Sequence, residues 1–396
     1  MMVQSMPEAS PAKWHLAHTA WFFESFILRE FLPDYRFFNE DFSWLFNSYY
    51  RSFAEFPEKR LRSSFSRPGL EEILRYRAHV DEAIERLLEG DPDQELLKRI
   101  ELGANHEEQH QELLLTDILN AFYTNPLRPA YISAHQYPFE STGRARANEF
   151  LEFAGGLMQV GHSGDGFCYD NELPRHRVWL EPYQLAGRLV TNGEYAEFVA
   201  DGGYRQPELW LSAGWDAVEQ NGWRAPLYWT NKAGKDGNDG EWGLFTLRGE
   251  IPLAQLEAAP VSHVSYFEAD AFARWAGKRL PTEFEWEIAA GGRAVEGNLM
   301  DSGRFVPSPA ENLKVQGGTQ FFGDCWEWTA SAYLGYPGFE PLAGSLGEYN
   351  GKFMNGQMVL RGGSCATPLA HIRSSYRNFF SPETRWQFSG IRLANK

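Results

Sequence analysis

The residues best suited to chemistry are His106 and His110 in the run His106-Glu107-Glu108-Gln109-His110. At helical spacing i,i+4 the two imidazoles share a face, with Cβ atoms roughly 5 to 6 Å apart, so both can reach one metal ion. Two ligands do not complete a site. As an HExxH pattern the run would bind zinc, with Glu107 as the general base of a metallopeptidase. With a third protein ligand elsewhere it would bind ferrous iron and leave positions open for oxygen and substrate. As a pair of surface histidines on a charged helix it would bind nothing.

A helix must present these side chains. Between Glu101 and Ala121, Leu102, Leu113, Leu114, Ile118 and Leu119 recur at helical spacing with no proline before Pro126, which predicts about six turns. Ser10-Pro11 opens an earlier helix through Trp14, Ala17, His18, Trp21, Phe22 and Ser25, ended by Pro33-Asp34, and Ser66 to Glu72 starts another that reaches Leu88. An aromatic loop, Tyr35 to Ser64, lies between them. Antiparallel helices of this kind form a bundle, whose core is where inward side chains build metal sites.

After a proline-bearing connector the texture changes to short β-like pieces, many glycines and many tryptophans. Gly203 to Glu250 reads as loop. The expected class is α+β and multidomain: a helix bundle over 1–130, a connector over 131–148 and a second domain over 149–396.

Composition narrows the partners. Lys+Arg 37 against Asp+Glu 53 leaves −16, which repels phosphate backbones and anionic bilayers, so neither nucleic acid nor membrane is expected as a partner. No apolar run approaches a membrane span. Cys168, Cys325 and Cys365 show no CxxC spacing, which suits a reducing cytoplasm and no disulfide framework.

Four motifs in order then carry a resemblance. Pro260-Val261-Ser262-His263-Val264-Ser265, Trp275 to Glu287, Gly323-Asp324-Cys325-Trp326-Glu327-Trp328-Thr329 and Leu360-Arg361-Gly362-Gly363-Ser364 resemble the formylglycine-generating-enzyme fold, a variant of the C-type lectin fold. That enzyme binds copper through paired cysteines. The matching stretch His371 to Asn378 has Ser374 and Ser375 and no cysteine pair, so formylglycine generation is not expected. Ser10 to Thr19 and His106 to Glu112 resemble a DinB-like helix bundle. The two together resemble the ergothioneine-pathway sulfoxide synthases, non-haem iron enzymes that use dioxygen to join a thiol sulfur to the imidazole of hercynine. Such chains carry about one more helix before the Ser-Pro-x-x-Trp-His motif, so a bundle short of its first helix, with an apolar face uncovered, is expected.

This resemblance implies an Fe(II) site of His18, His106 and His110. His15, three residues before His18, receives a structural role. Tyr49 or Tyr50 is implied as the catalytic phenol, since a group with a pKa of about 10 can deliver a proton without standing as a charge. Gln109 would hold hercynine. Asn378, Phe379, Phe380 and Trp386 match the segment that lines the pocket, and the three rings could cradle the quaternary ammonium at roughly 0.5 to 2 kcal/mol per contact. Arg51, Arg377 and Arg385 are candidates for substrate carboxylates. Free cysteine is favoured over γ-glutamylcysteine as the thiol. A zinc metallopeptidase, a related synthase using histidine or a selenium donor, and a lectin-like binding module are the other readings.

Overall fold

A computed structural model describes residues 1–132, 145, 147–164, 166–232, 241–310 and 318–396. Most of the expected connector, 133–144 and 146, lies outside them. The chain forms two compact units.

The helical unit comprises Met1–Asn125 together with Gly164–Asp170 and Glu340–Lys352, two stretches that come from far along the chain. Its first helix, α1 (Ala12–Phe23), continues through a π-helical turn (Glu24–Leu28) into α2 (Arg29–Phe31). Ser10 does not cap it: Pro11 stands at the N-cap, and the Ser10 amide instead donates to Asp117 Oδ2 at 2.7 Å. The π turn holds Glu24, whose buried carboxylate accepts the hydroxyls of Tyr35 and Tyr76, both at 2.6 Å. A short α3 (Phe42–Leu45) interrupts the aromatic loop, and α4 (Leu70–Leu88) and α5 (Gln94–Thr124) complete the long helices. Asp93 caps α5 by accepting the Leu96 amide at 2.8 Å.

α1 is the central element, packed on both α4 and α5. Its Trp14, Ala17, Trp21 and Phe22 are buried, as are Ile73, Tyr76 and Val80 of α4 and Leu119 of α5. Gly103 sets the approach of α5. A Cβ there would stand 2.8 Å from the Phe23 ring, so any larger residue would force that ring to shift just before His106. On the long helices Leu70, Leu74, Leu88 and Leu97 are large apolar side chains left exposed.

The other unit holds the remaining described residues. Two hairpin-like pairings come first: β1 (Phe150–Phe153) runs antiparallel to β4 (Tyr183–Ala186), and β2 (Gly156–Val160) to β3 (His176–Leu180). Helices α6 (Asn192–Ala200) and α7 (Ser212–Asn221) follow, then β5 (Trp229–Lys232), β6 (Glu241–Thr246) and β7 (Gly249–Pro252) as an antiparallel sheet. The stretch expected as loop thus holds a helix and most of a sheet, because its tryptophans sit among short periodic runs that glycines interrupt. α8 (Tyr266–Trp275) and α9 (Glu283–Ala290) each open with a capping box, Ser265 with Glu268 and Thr282 with Glu285. β8 (Gly297–Asn298) pairs with β9 (Phe322–Gly323). Finally β10 (Trp326–Ala332), β11 (Met358–Arg361), β12 (Asn378–Phe380) and β13 (Ser389–Gly390) form a sheet in the order β12-β11-β10-β13.

Three motif residues, Glu287, Glu327 and Arg361, enter buried charge pairs of this unit. Glu327 meets Arg392 at 2.7 Å with neither side chain exposed, Arg361 pairs with Glu287, and Trp286, Trp326 and Trp328 pack around them. Gly362 has φ +95, and a Cβ on it would lie 2.5 Å from the Phe321 carbonyl oxygen, which explains glycine in that motif. Cys325 and Cys365 are buried and form no disulfide among the described residues. Among the described residues no helix is long and apolar enough to cross a membrane.

Candidate metal centre

α1 contributes His15 and His18, and α5 contributes His106 and His110. His18, His106 and His110 each offer a ring nitrogen, and these three atoms all lie within 4.8 Å of one another. Ring centroids are 5.0 Å apart for His18 and His106, 4.7 Å for His18 and His110, and 4.6 Å for His106 and His110. His18 and His106 are buried and His110 is half-buried.

The surroundings fix how each ring is presented. Trp14 stacks on His18 at 4.4 Å, Trp21 lies parallel to it at 5.2 Å, and Phe22 stacks on His106 at 4.3 Å. His18 Nδ1 contacts the Phe46 carbonyl oxygen at 2.6 Å. A carbonyl only accepts, so Nδ1 carries the proton and Nε2 keeps its lone pair. His110 Nδ1 lies 2.9 Å from His15 Nδ1, and His15 Nε2 lies 3.0 Å from Asp117 Oδ2. Among the described residues no group hydrogen-bonds the buried His106 Nδ1, so none of them specifies its tautomer there.

Burial is the main reason all three histidines resist protonation. His106 is lowered to about 3, with His15 adding repulsion. His18 is lowered well below its usual value by burial and then by His106, and His110 by burial and then by His106 and His18. Neutral imidazole is the form that ligates metal. Three uncharged nitrogen donors, converging in an aromatic shell with the His18 tautomer set by the Phe46 carbonyl, fit a divalent transition metal.

Glu107, the would-be base of a metallopeptidase, accepts from Arg77 Nη2 at 2.7 Å, and Arg77 is itself tied to the Leu16 carbonyl and Thr19 of α1. The third histidine also comes from upstream of the α5 pair, whereas the peptidase pattern expects a ligand downstream. Both features count against that reading.

Of the other residues named from sequence, Gln109 stands between the α5 ligands, and its Oε1 accepts the Tyr349 hydroxyl at 2.5 Å. Tyr349 was not singled out from sequence. It lies 240 positions from Gln109 in a turn-rich segment, and its neighbour Glu348 gives no metal or nucleophile pattern. Yet its buried ring faces His106 edge-on at 5.8 Å and lies parallel to Tyr169 at 5.4 Å. Tyr49 and Tyr50 stack at 4.5 Å with hydroxyls 3.5 Å apart, and Tyr50 packs against Trp21 and Phe26. Burial pushes Tyr49 up to about 12 and Tyr50 well above the usual phenol value. Glu348 fastens this loop by accepting from the amides of Arg51 and Ser52 and from Lys352, whose ammonium also donates to the Tyr49 carbonyl. Burial pushes the Glu348 carboxyl up, but the hydrogen bonds from Lys352 and Ser52 prevail and bring it to about 2. The Arg51 guanidinium is exposed, lying over the Phe56 ring at 5.1 Å.

The remaining candidates belong to the other unit. Asn378, Phe379 and Phe380 form β12, half-buried, with Phe379 stacked on Tyr333 at 4.0 Å and Phe380 edge-on to Trp386 at 5.4 Å. Arg377 and Arg385 need correction as carboxylate binders for substrate. Arg377 is 2% exposed and clamps Glu283 at 2.8 and 3.0 Å, while Arg385 is 9% exposed and clamps Glu268 at 2.9 and 2.8 Å. Both guanidiniums are already paired, and freeing either would leave a buried carboxylate without its cation.

The Sulfatase-modifying factor enzyme 1-like domain family matches residues 136–315 and 302–396. A hercynine oxygenase of Mycolicibacterium smegmatis is 33% identical, covering 99% of this chain and 92% of that protein. One from Mycolicibacterium thermoresistibile is 31% identical over 98% of this chain and 88% of its own. Ergothioneine biosynthesis protein 1 of Schizosaccharomyces pombe is 26% identical over 57% of this chain and 27% of its own. With such identity sustained from the histidine-bearing helices to the last sheet, the chain belongs to the hercynine oxygenase family of ergothioneine-type, sulfoxide-synthase-like proteins.

Proposed function

We propose that this protein is an iron(II)- and dioxygen-dependent enzyme that joins the imidazole of hercynine to a thiol sulfur as a sulfoxide, with free cysteine as the preferred donor. The observation that carries this reading is the convergence of His18, His106 and His110, three neutral donors with no carboxylate among them. When bound there, iron(II) supplies dioxygen activation and a place for the thiolate.

The chain's own residues do the rest. His18, His106 and His110 hold the ion, and Trp14, Trp21 and Phe22 keep water from the rings they cover. Gln109, oriented by Tyr349, presents its amide to the hercynine imidazole. Tyr349 is placed first as proton donor, because its hydroxyl is held by Gln109 while its ring meets a ligand histidine. Tyr49 and Tyr50 stay in the proposal as phenols on the loop fastened to the same segment. Phe379, Phe380, Trp386 and Asn378 stay in the proposal as a segment able to hold a quaternary ammonium. Arg51 remains the candidate for a thiol carboxylate once Arg377 and Arg385 are committed elsewhere. A single free guanidinium suits cysteine, with one carboxylate, better than γ-glutamylcysteine, with two.

The test is a competition. Ferrous protein is given hercynine, cysteine and γ-glutamylcysteine at equal concentration in air, and products are weighed by mass spectrometry. A hercynine–cysteine sulfoxide in excess is expected. The γ-glutamyl product in excess would reverse the donor assignment, and no conjugate at all would end the reading.

A further inference from the structure

One buried polar chain adjoins the metal centre without belonging to its ligands. It runs from the Ser10 amide to Asp117 Oδ2 (2.7 Å), from Asp117 Oδ2 to His15 Nε2 (3.0 Å), and from His15 Nδ1 to His110 Nδ1 (2.9 Å). Asp117 and His15 are 7% and 4% exposed. Arg62 secures the far end by donating to Ser10 Oγ at 2.8 Å.

We propose that His15, held by Asp117, is a positioning residue that sets which nitrogen of His110 is offered to the metal. The assignment rests on the metal-centre reading above and follows from donor and acceptor rules. A carboxylate only accepts, so the His15 proton facing Asp117 sits on Nε2. Where the ring carries that one proton, His15 Nδ1 is an acceptor. The two Nδ1 atoms share one proton, which must belong to His110. His110 is thereby held with Nδ1–H and with its Nε2 lone pair exposed as a ligand. A histidine ligand usually donates its second N–H directly to a carboxylate or carbonyl, as His18 does to Phe46. Here a second imidazole is interposed, and the carboxylate acts through it. The ring of His15 also packs at 5.1 Å from that of His110 and edge-on to Trp14 at 5.8 Å, which limits rotation of both imidazoles.

The direction of the chain is what a variant can reverse. In Asp117→Leu nothing accepts from His15 Nε2, so the His15 proton is free to move to Nδ1 and His110 to take the Nε2–H form, with no lone pair facing the metal; an asparagine would keep its oxygen on the Ser10 amide and preserve the direction. In His15→Gln an amide can still accept from His110 and donate to Asp117. In His15→Phe it can do neither.

Two readouts test this on the whole protein, with circular dichroism confirming that each variant is folded. Nitrogen-15 NMR of the metal-free protein reports the His110 tautomer directly; Nδ1–H is expected in the wild type and a gain of Nε2–H in Asp117→Leu. Cobalt(II) titration reports affinity and ligand field. Asp117→Leu and His15→Phe should bind about 10- to 100-fold more weakly with an altered visible spectrum, and His15→Gln should recover most of the loss. Wild-type His110 found as Nε2–H, or unchanged cobalt affinity and spectrum in both weakened variants, would overturn the assignment. Failure of the wild type itself to bind cobalt would instead strike at the metal-centre reading, while the NMR tautomer would still decide the role of His15.

Discussion

The Tyr349 hydroxyl donates to Gln109 Oε1 at 2.5 Å, linking a residue between the two α5 ligands to a phenol from a distant part of the chain. If this phenol supplies a proton in the reaction, Tyr349→Phe should lower kcat by about 10²- to 10⁴-fold while leaving iron affinity intact. Gln109→Leu should mainly raise KM for hercynine. Steady-state kinetics with parallel iron titration separates the two. A Tyr349→Phe enzyme with wild-type kcat would return the proton-donor role to Tyr49 or Tyr50.

Glu107 is bonded to Arg77, so its loss should be a matter of packing. Glu107→Gln is expected to keep sulfoxide formation within a few-fold and to cost about 0 to 1 kcal/mol in urea unfolding, the range for partly exposed ion pairs. Abolished activity with unchanged stability would restore a base role for this carboxylate.

Acid should destabilise the metal-free protein through the histidines. His106 is held at about 3 in the fold against an ordinary value near 6.5, so the unfolded chain binds more protons between those values. Its contribution is therefore whole above pH 6.5 and is lost as pH falls toward 3. The loss from His106 alone approaches ~1.4 kcal/mol per pH unit within the window. His18 and His110 are depressed in the same direction, so they steepen the slope. Urea midpoints at pH 7.5, 6 and 5 check this, and a flat profile would mean the rings are hydrated.

Arg377 illustrates what a charge in sequence does not reveal. Arg377→Met should cost about 3 to 5 kcal/mol in stability, because Glu283 would be left buried and unpaired. If Arg377→Met instead keeps its melting temperature and raises only the KM for the thiol, the arginine is a substrate ligand after all.

These cases show where the sequence was readable. Helical spacing put His106 and His110 on one face, and the resemblance supplied His18; the structure brings the three together on α1 and α5. Helix periodicity also located α4 and α5, though α5 runs from Gln94 to Thr124, longer than its apolar residues mark out, because Asp93 caps it earlier. Tyr349 and Asp117 were silent, since the one acts through a long-range docking segment and the other through an interposed histidine. Arginines are alike in sequence whether a glutamate awaits them inside the fold, as for Arg385, or water surrounds them, as for Arg51. The short strands between Trp229 and Pro252 were missed because glycines and turns break their alternation into pieces too short to read.

The most direct measurement is an anaerobic titration with ferrous iron, read as the nitric oxide adduct by electron paramagnetic resonance, on the wild type and on His18→Ala, His106→Ala and His110→Ala. The wild type should give one ferrous–nitrosyl centre per chain, and each variant should lose most of that signal while keeping its circular dichroism. A full signal of unchanged line shape in His18→Ala would contradict the joining of α1 and α5 at one iron.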